Sequence, residues 1–265
     1  MNGKTNIEWT DCTWNPVRGC NKISPGCAHC YAETFAERFR GVPNHPYTHG
    51  FDLRLVPSRL ADPLLLSSSR RIFTNSMSDL FHADVPEHFI HRVARVMVAS
   101  PWHQFQVLTK RAERMCQMLN SSLGYAAAAP HIFWGVSVEN RRHGLPRLDA
   151  LKNSAAIRRF ASIEPLLESL SPFSLAGIDW AIVGGESGPG ARPMDPDWVR
   201  QIRDHCVRQS IAFHFKQWGG AKKKTAGRTL DGRTWDDRPP LPTITPPTLA
   251  QRKGILAELS AAGIL

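Results

Sequence analysis

Phe105-Gln106-Val107-Leu108-Thr109-Lys110-Arg111-Ala112-Glu113-Arg114-Met115-Cys116-Gln117-Met118-Leu119 is the stretch that decides the fold. Its first four residues form a short, largely apolar run of strand type. Thr109, Lys110 and Arg111 end that run, and a helical pattern follows in which Ala112, Met115, Cys116 and Leu119 share a face. A strand, a polar end and a helix in that order make the repeating unit of a parallel sheet. Working outward, Ile72-Phe73-Thr74 precedes this unit. Ile132-Phe133-Trp134-Gly135-Val136, Ile157 to Ala161, Trp180-Ala181-Ile182-Val183 and Phe213-His214-Phe215 follow it. The runs recur about every 30 residues, the length of one βα unit. The expected fold class is α/β, either a parallel barrel or a doubly wound parallel sheet.

Helices fit the gaps. Asp84 with Glu87 reads as a capping box for a helix presenting Phe89, Val93 and Met97 on one face. Asp195-Pro196 opens another, with Val199, Ile202 and Cys206 in register. After Gly219-Gly220 the texture changes to Lys222-Lys223-Lys224, then a Thr/Gly/Arg/Asp stretch, then a proline-rich run from Pro239 to Pro247 and a closing helix near Leu249 to Ala262. This divides the chain into a barrel over 1–220 and a basic, proline-rich extension over 221–265.

A chain of 265 residues, 42% hydrophobic, suffices for one sizeable core. No run reaches the roughly 20 apolar residues of a membrane span. The first residues, Met1-Asn2-Gly3-Lys4-Thr5-Asn6, lack the apolar stretch of a signal peptide, so a cytoplasmic protein with no membrane partner is expected. In that compartment six cysteines read as metal ligands or core residues rather than disulfides. Cys116 and Cys206 fall on core faces. Lysine and arginine exceed aspartate and glutamate by 33 to 23, a formal charge of +10, which favours a polyanionic partner such as nucleic acid. Lys222 to Lys224, Arg228 and Arg233, with Trp235 beside them, suit phosphates and a stacked base as well as they suit a solvated charge run.

Every strand-type run ends in polar residues, and parallel α/β folds bind ligands at that end. Asn75, Ser76, Ser78 and Asp79 end the first, Lys110 and Arg111 the second, Ser137, Glu139 and Asn140 the third. Glu164 ends the fourth, Gly184-Gly185-Glu186-Ser187-Gly188 the fifth and Lys216-Gln217-Trp218 the sixth. Any one of these residues could be a helix cap. Six such ends in succession point to a shared pocket.

Before the first run stands Gly19-Cys20-Asn21-Lys22-Ile23-Ser24-Pro25-Gly26-Cys27-Ala28-His29-Cys30, spaced Cys-x6-Cys-x2-Cys. Three close thiolates suit an iron–sulfur cluster with one iron free of protein ligands. A structural zinc site needs four ligands, and Cys12 is near enough in sequence to supply one. Both readings of the loop stay open at this point, and His29 reads as a packing residue.

Taken together, several blocks resemble a known family. They are Glu8-Trp9-Thr10, Thr13-Trp14-Asn15-Pro16, the cysteine loop through Tyr31-Ala32, residues 73–81, Leu108 to Arg111, Trp134 to Asn140, Ser162 to Leu166, Gly184 to Gly188 and Phe215 to Gly219. The family is the phage- and prophage-associated three-cysteine-motif proteins of the radical S-adenosylmethionine superfamily, which are more distantly similar to the DNA-repairing spore photoproduct lyases. The loop departs from the superfamily's usual Cys-x3-Cys-x2-Cys, and His29 stands where an aromatic commonly precedes the third cysteine.

The resemblance implies a partial parallel barrel of the (β/α)6 type with a short C-terminal extension, a [4Fe–4S] cluster on Cys20, Cys27 and Cys30, and S-adenosylmethionine as second cofactor. Asn75, Ser76 and Asp79 would lie near the methionine ammonium, Lys110 or Arg111 at its carboxylate, and Ser137 or Glu139 at the ribose. Glu164, Glu186 and Lys216 would face the substrate, with a buried ion network as the competing reading. The implied partners are a one-electron reductant, a nucleic acid and a protein encoded nearby. The expected activity is radical modification or repair of a nucleic acid or other macromolecule. A non-catalytic zinc or iron–sulfur protein that binds nucleic acid or acts as a sensor is the alternative.

Overall fold

The computed structural model describes residues 5–221 and 226–265. In chain order its elements are β1 (Cys12–Trp14), β2 (Val17–Arg18), α1 (Tyr31–Glu37), β3 (Arg54–Leu55), β4 (Arg71–Thr74), α2 (Glu87–Val98), β5 (Gln104–Thr109), α3 (Ala112–Leu119), α4 (Gly124–Ala127), β6 (Ile132–Ser137), α5 (Arg141–Lys152), β7 (Arg159–Ile163), β8 (Trp180–Gly184), α6 (Pro196–Arg208), β9 (Ala212–Gln217) and α7 (Leu249–Ala261). Seven strands form one parallel sheet in the order β1-β4-β5-β6-β7-β8-β9. The sheet curls into a half-barrel. A separate antiparallel ribbon of β2 and β3 brackets the cysteine loop and α1.

The six anticipated strands are all present, and β1 is added as a seventh. Three residues long, β1 is too short to show periodicity and is recruited through its parallel register with Ile72, Phe73 and Thr74. β7 lies two residues beyond its expected start. Ile157 is half exposed, and the strand begins where Asp179 accepts from the Arg159 amide at 2.7 Å. α2 starts at Glu87 rather than from an Asp84 cap, because Pro86 takes an extended conformation (φ −62°, ψ 142°) at the N-cap position. Asp195 caps α6 as expected, accepting from the Asp197 amide.

Strand side chains alternate between two environments. Phe105, Val107, Ile132, Trp134, Val136, Ala161, Ile163, Ala181, Val183, Phe213 and Phe215 face the helical layer and belong to the main core. Phe73, Phe133, Phe160, Trp180 and Ile182 face the inside, where Trp9 joins them. The Trp9 ring lies 4.6 Å from Phe73 and 5.9 Å from Trp180, centroid to centroid. This aromatic floor fills the half-barrel at the amino ends of its strands. Gly135 makes room for it, since a Cβ there would lie 2.3 Å from the Phe160 ring.

The C-terminal extension is built into the barrel. The Phe215 amide donates to Trp235 O and the Asp237 amide to Phe213 O, covering the free edge of β9. The chain then crosses beneath the floor, where Arg238 reaches Glu8 O, Arg71 reaches Pro239 O and Gln104 reaches Pro240 O. It ends as α7, tied down by Arg252 on Leu66 O and by Arg92 on Ile264 O. The Trp235 ring is flanked by Arg233 and Arg203 and packs against Phe213, so its faces are already covered. Arg228 pairs with Asp236. Lys222, Lys223 and Lys224 lie outside the described residues. Among the described residues no helix is long and apolar enough to cross a membrane.

Two predictions follow from the packing. Gly135→Ala should destabilise the fold by about 1–3 kcal/mol through overpacking, read as a lower urea midpoint that Phe160→Leu partly restores. His103 and His214 are fully buried, and burial pulls both down to about 4. They stay neutral in the folded chain, whereas unfolded histidine takes up a proton near 6.5. Their contribution is therefore complete above that value and is lost as the pH falls toward 4. Urea midpoints taken from pH 7 to pH 4.5 should decline, and His214→Phe should decline less steeply. An unchanged slope in that variant would remove His214 from the account.

Candidate active site

The cysteine loop leaves β2 over Gly19, whose φ of +79° and position against Asp52 (a Cβ would lie 2.2 Å from the Asp52 carbonyl oxygen) admit only glycine. The Gly19 amide donates to Met77 O and the Cys20 amide to Phe51 O, which lays the loop across the carboxyl end of the sheet. A short turn over Pro25–Cys27 follows, and α1 starts immediately after Cys30. Ala32 and Ala36 are the buried side of α1, while Tyr31 and Phe35 face outward. Tyr31 Oη donates to Ser76 O, tying α1 to the segment after β4.

Between this loop and the strand ends lies a cavity of about 420 Å³, within the range of small-molecule sites. Trp9 and Phe73 of the aromatic floor reach its base, and Cys20, Cys27 and Cys30 line its opposite wall. All three cysteines are free. Among the described residues no three His, Cys, Asp or Glu side chains converge closely enough to hold a single metal ion. Cys12 sits on the helix-facing side of β1 within the main core, where burial pushes its thiol up to about 11. It is not part of the cavity.

Three carboxylate–guanidinium pairs grip the loop. Asp79 is saturated: it accepts from Thr109 Oγ1 at 2.7 Å, from the Phe81 and Lys110 amides, and from Arg111 Nη1 at 2.9 Å. The same Arg111 reaches Cys20 Sγ at 3.4 Å and Asn21 Oδ1. Burial, with the charge of Asp79, keeps the Cys20 thiol above its ordinary value, and Arg111 opposes them. Glu186, after β8, accepts from the Arg192 amide, Nε and Nη2, and Arg192 Nη2 also donates to Pro25 O at 2.8 Å. Burial alone would raise the Glu186 carboxyl, but the bonds from Arg192 prevail and hold it low.

Glu139 forms the third pair, with Arg147 at 2.5 Å, and both side chains are buried. Its atoms press against Gly26, where a Cβ would approach to 3.1 Å. Burial opposes its charge, yet Lys110, a hydrogen bond from Ser24 and Arg147 keep the carboxyl below the usual range. Glu139 therefore lies beneath the loop and outside the cavity. The other anticipated residues line the cavity together: Asn75, Ser76, Asp79, Lys110, Arg111, Ser137, Glu164, Glu186 and Lys216. Lys216 Nζ bonds Glu164 Oε1 at 2.6 Å across the ends of β9 and β7.

Three buried side chains on the cavity wall have unanswered polar atoms among the described residues: Trp9 Nε1 at its base, Asn75 Nδ2 and Gln217 Oε1. Asn75 is held in the left-handed region (φ +62°), with Oδ1 accepting from the Val17 amide, which leaves the amide nitrogen free for a ligand. Gln217 Nε2 is occupied by Ser187 Oγ. Sequence reasoning assigned no role to Gln217, Ser162 or Arg192. Ser162 follows from alternation, lying inward between Phe160 and Glu164. Gln217 stands in the β9 end already singled out, and Arg192 carries no local signal, since its partner sits across a glycine-rich turn.

Compared with solved structures, the chain is similar to a spore photoproduct lyase complexed with the dinucleoside spore photoproduct, with 12% identity and a TM-score of 0.42 over 74% of this chain and 61% of that one. It is also similar to a cysteine-to-alanine mutant of spore photoproduct lyase with the dinucleoside spore photoproduct, at 12% identity and a TM-score of 0.39 over 78% and 65%. The chain thus spans less than two thirds of the length of either. A comparison with curated protein sequences finds no match. A family model matches residues 4–239, and the chain belongs to that family, described as Protein of unknown function (DUF5131).

Proposed function

We propose that the chain is a radical S-adenosylmethionine enzyme acting on a nucleic acid or another macromolecule. One observation carries the reading: three free cysteines of a single loop face the same cavity as the polar carboxyl ends of a parallel half-barrel. The donor set fits a [4Fe–4S] cluster. Zinc in a structural site wants four ligands around one ion, whereas thiolates around a cubane stand apart by the width of the cluster and can number three. Cys12, the nearest further thiol in sequence, points into the core on the other side of the sheet. The likeness of the cysteine loop to the three-cysteine-motif proteins agrees with this reading.

Cys20, Cys27 and Cys30 would hold the cluster, which would supply the one-electron reduction that cleaves adenosylmethionine. The chain's own residues hold and orient. Asn75 Nδ2 donates to an acceptor atom of the cofactor. Lys110 meets the methionine carboxylate, because Arg111 is committed to Asp79 and Cys20. Asp79 acts through that guanidinium. Ser137 and Ser162 offer hydroxyls to the ribose, and the aromatic floor excludes water from below. Glu164 with Lys216, and Gln217 Oε1, face the substrate side, where the paired charges can hold or move a proton at Lys216 Nζ.

Anaerobic reconstitution should load roughly four irons per chain and, with a reductant, release 5′-deoxyadenosine from adenosylmethionine. Both should vanish in Cys27→Ala and persist in Cys12→Ala. Stoichiometric zinc without iron in anaerobically purified protein would overturn the reading in favour of a binding module, and iron without cofactor cleavage would favour a sensor. Asn75→Asp keeps the Oδ1 acceptor and replaces the free donor. It should weaken adenosylmethionine binding about ten- to a hundredfold, as expected for a hydrogen bond to a charged group, with iron content unchanged. An unaltered affinity by calorimetry would take Asn75 out of the site.

A further inference from the structure

A second concavity, of about 480 Å³, adjoins the first and shares Ile23, Lys110 and Arg111 with it. It is walled by the first turns of α3 and α5 and is strongly cationic, with Lys110, Arg111, Arg114, Arg142 and Arg147 against a single acid, Glu113. Arg111 and Arg147 are answered by Asp79 and Glu139. Arg114 is spent on neutral acceptors, the carbonyls of Phe81, His82, Ala83 and Val85, so its charge stays uncompensated. The side chains of Lys110 and Arg142 have no hydrogen bond or ion pair among the described residues. α3 begins without a side-chain cap, and its first residues, Ala112, Glu113 and Arg114, line the groove, which adds the positive end of a helix dipole.

We propose that this groove holds the phosphodiester backbone of a polynucleotide strand and presents the neighbouring nucleotide to the cavity. Lys110, on the wall shared with the cavity, faces Glu139 and the cofactor site, and the cations left without an acidic partner among the described residues run on through Arg114 to the exposed Arg142. A strand laid along them neutralises charge at successive phosphates. Ile23, 42% exposed on the shared wall, offers an apolar surface to a base. The excess of cations over the whole chain, +10, fits the same partner. That the presented nucleotide is the substrate rests on the radical-enzyme reading. The anion site itself does not.

The test is fluorescence anisotropy of a labelled single-stranded oligonucleotide with the full, anaerobically purified chain over a range of salt, without reductant or adenosylmethionine. The logarithm of affinity should fall linearly with the logarithm of salt. Arg142→Gln should reduce that slope by about 0.7, the value for one lost contact on a single strand. Arg208→Gln, an exposed cation on α6 away from the groove, carries the same change of net charge and should leave the slope unaltered. Equal effects at Arg142 and Arg208 would overturn the proposal. So would retention of inorganic phosphate with no binding of the oligonucleotide. Because the assay needs no cofactor cleavage, failure here leaves the radical chemistry standing, and absence of 5′-deoxyadenosine leaves the groove standing.

Discussion

The inside of a half-barrel must be filled or it floods, and the aromatic floor settles how much of it stays open. Trp9, Phe73, Phe133, Phe160 and Trp180 occupy the amino ends of the strands, where large rings gain most from leaving water. The remaining volume is displaced to the carboxyl ends, where strand side chains give way to Asn75, Ser137, Ser162, Glu164 and Gln217. Trp9 matters most because it enters from outside the sheet and seals the base between Phe73 and Trp180. Cavity position is thus a consequence of packing before it is one of chemistry.

Above that floor the charges fall into two kinds. Asp79–Arg111, Glu139–Arg147 and Glu186–Arg192 are closed pairs, each with a further contact to the cysteine loop: at Cys20 and Asn21, at Ser24 and Gly26, and at Pro25. Buried pairs of this sort gain little net energy over an apolar replacement but impose geometry. Here they fix a glycine- and proline-containing loop that has little side-chain core of its own. Lys110, Arg142, Asn75 Nδ2 and Gln217 Oε1 remain open, and these are the groups a ligand would satisfy. Closed pairs that hold a loop and open groups that meet a ligand are the division expected of a preorganised site.

Much of this was legible in the amino-acid order because the signals are local. Strand-type runs, their polar ends and the cysteine spacing each fit within a dozen residues, and most of the cavity wall comes from them. What the sequence left open depends on partners far apart in the chain. Alternation alone would put Glu139 on the same face as Ser137, yet it lies two residues past the end of β6, where the Arg147 guanidinium draws it under the loop. Cys12 belongs to a strand too short to show a period, paired with residues sixty positions away, so only the folded register reveals that it faces the core. Trp235 and Arg228 suit a phosphate-binding segment as well as a solvated charge run until the edge of β9 is seen to be covered by that segment.

The route of residues 235–265 has a bearing on how the chain reaches this state. Their contacts with Glu8, Leu66, Arg71, Arg92 and Gln104 join the most distant parts of the sequence, and such long loops close slowly. During synthesis the strands emerge first, with the edge of β9 bare and the underside of the rings still wet. Until this last girdle arrives, the nascent sheet offers an unpaired strand to its neighbours. A chain interrupted short of it would therefore be lost to self-association rather than released as a smaller folded protein.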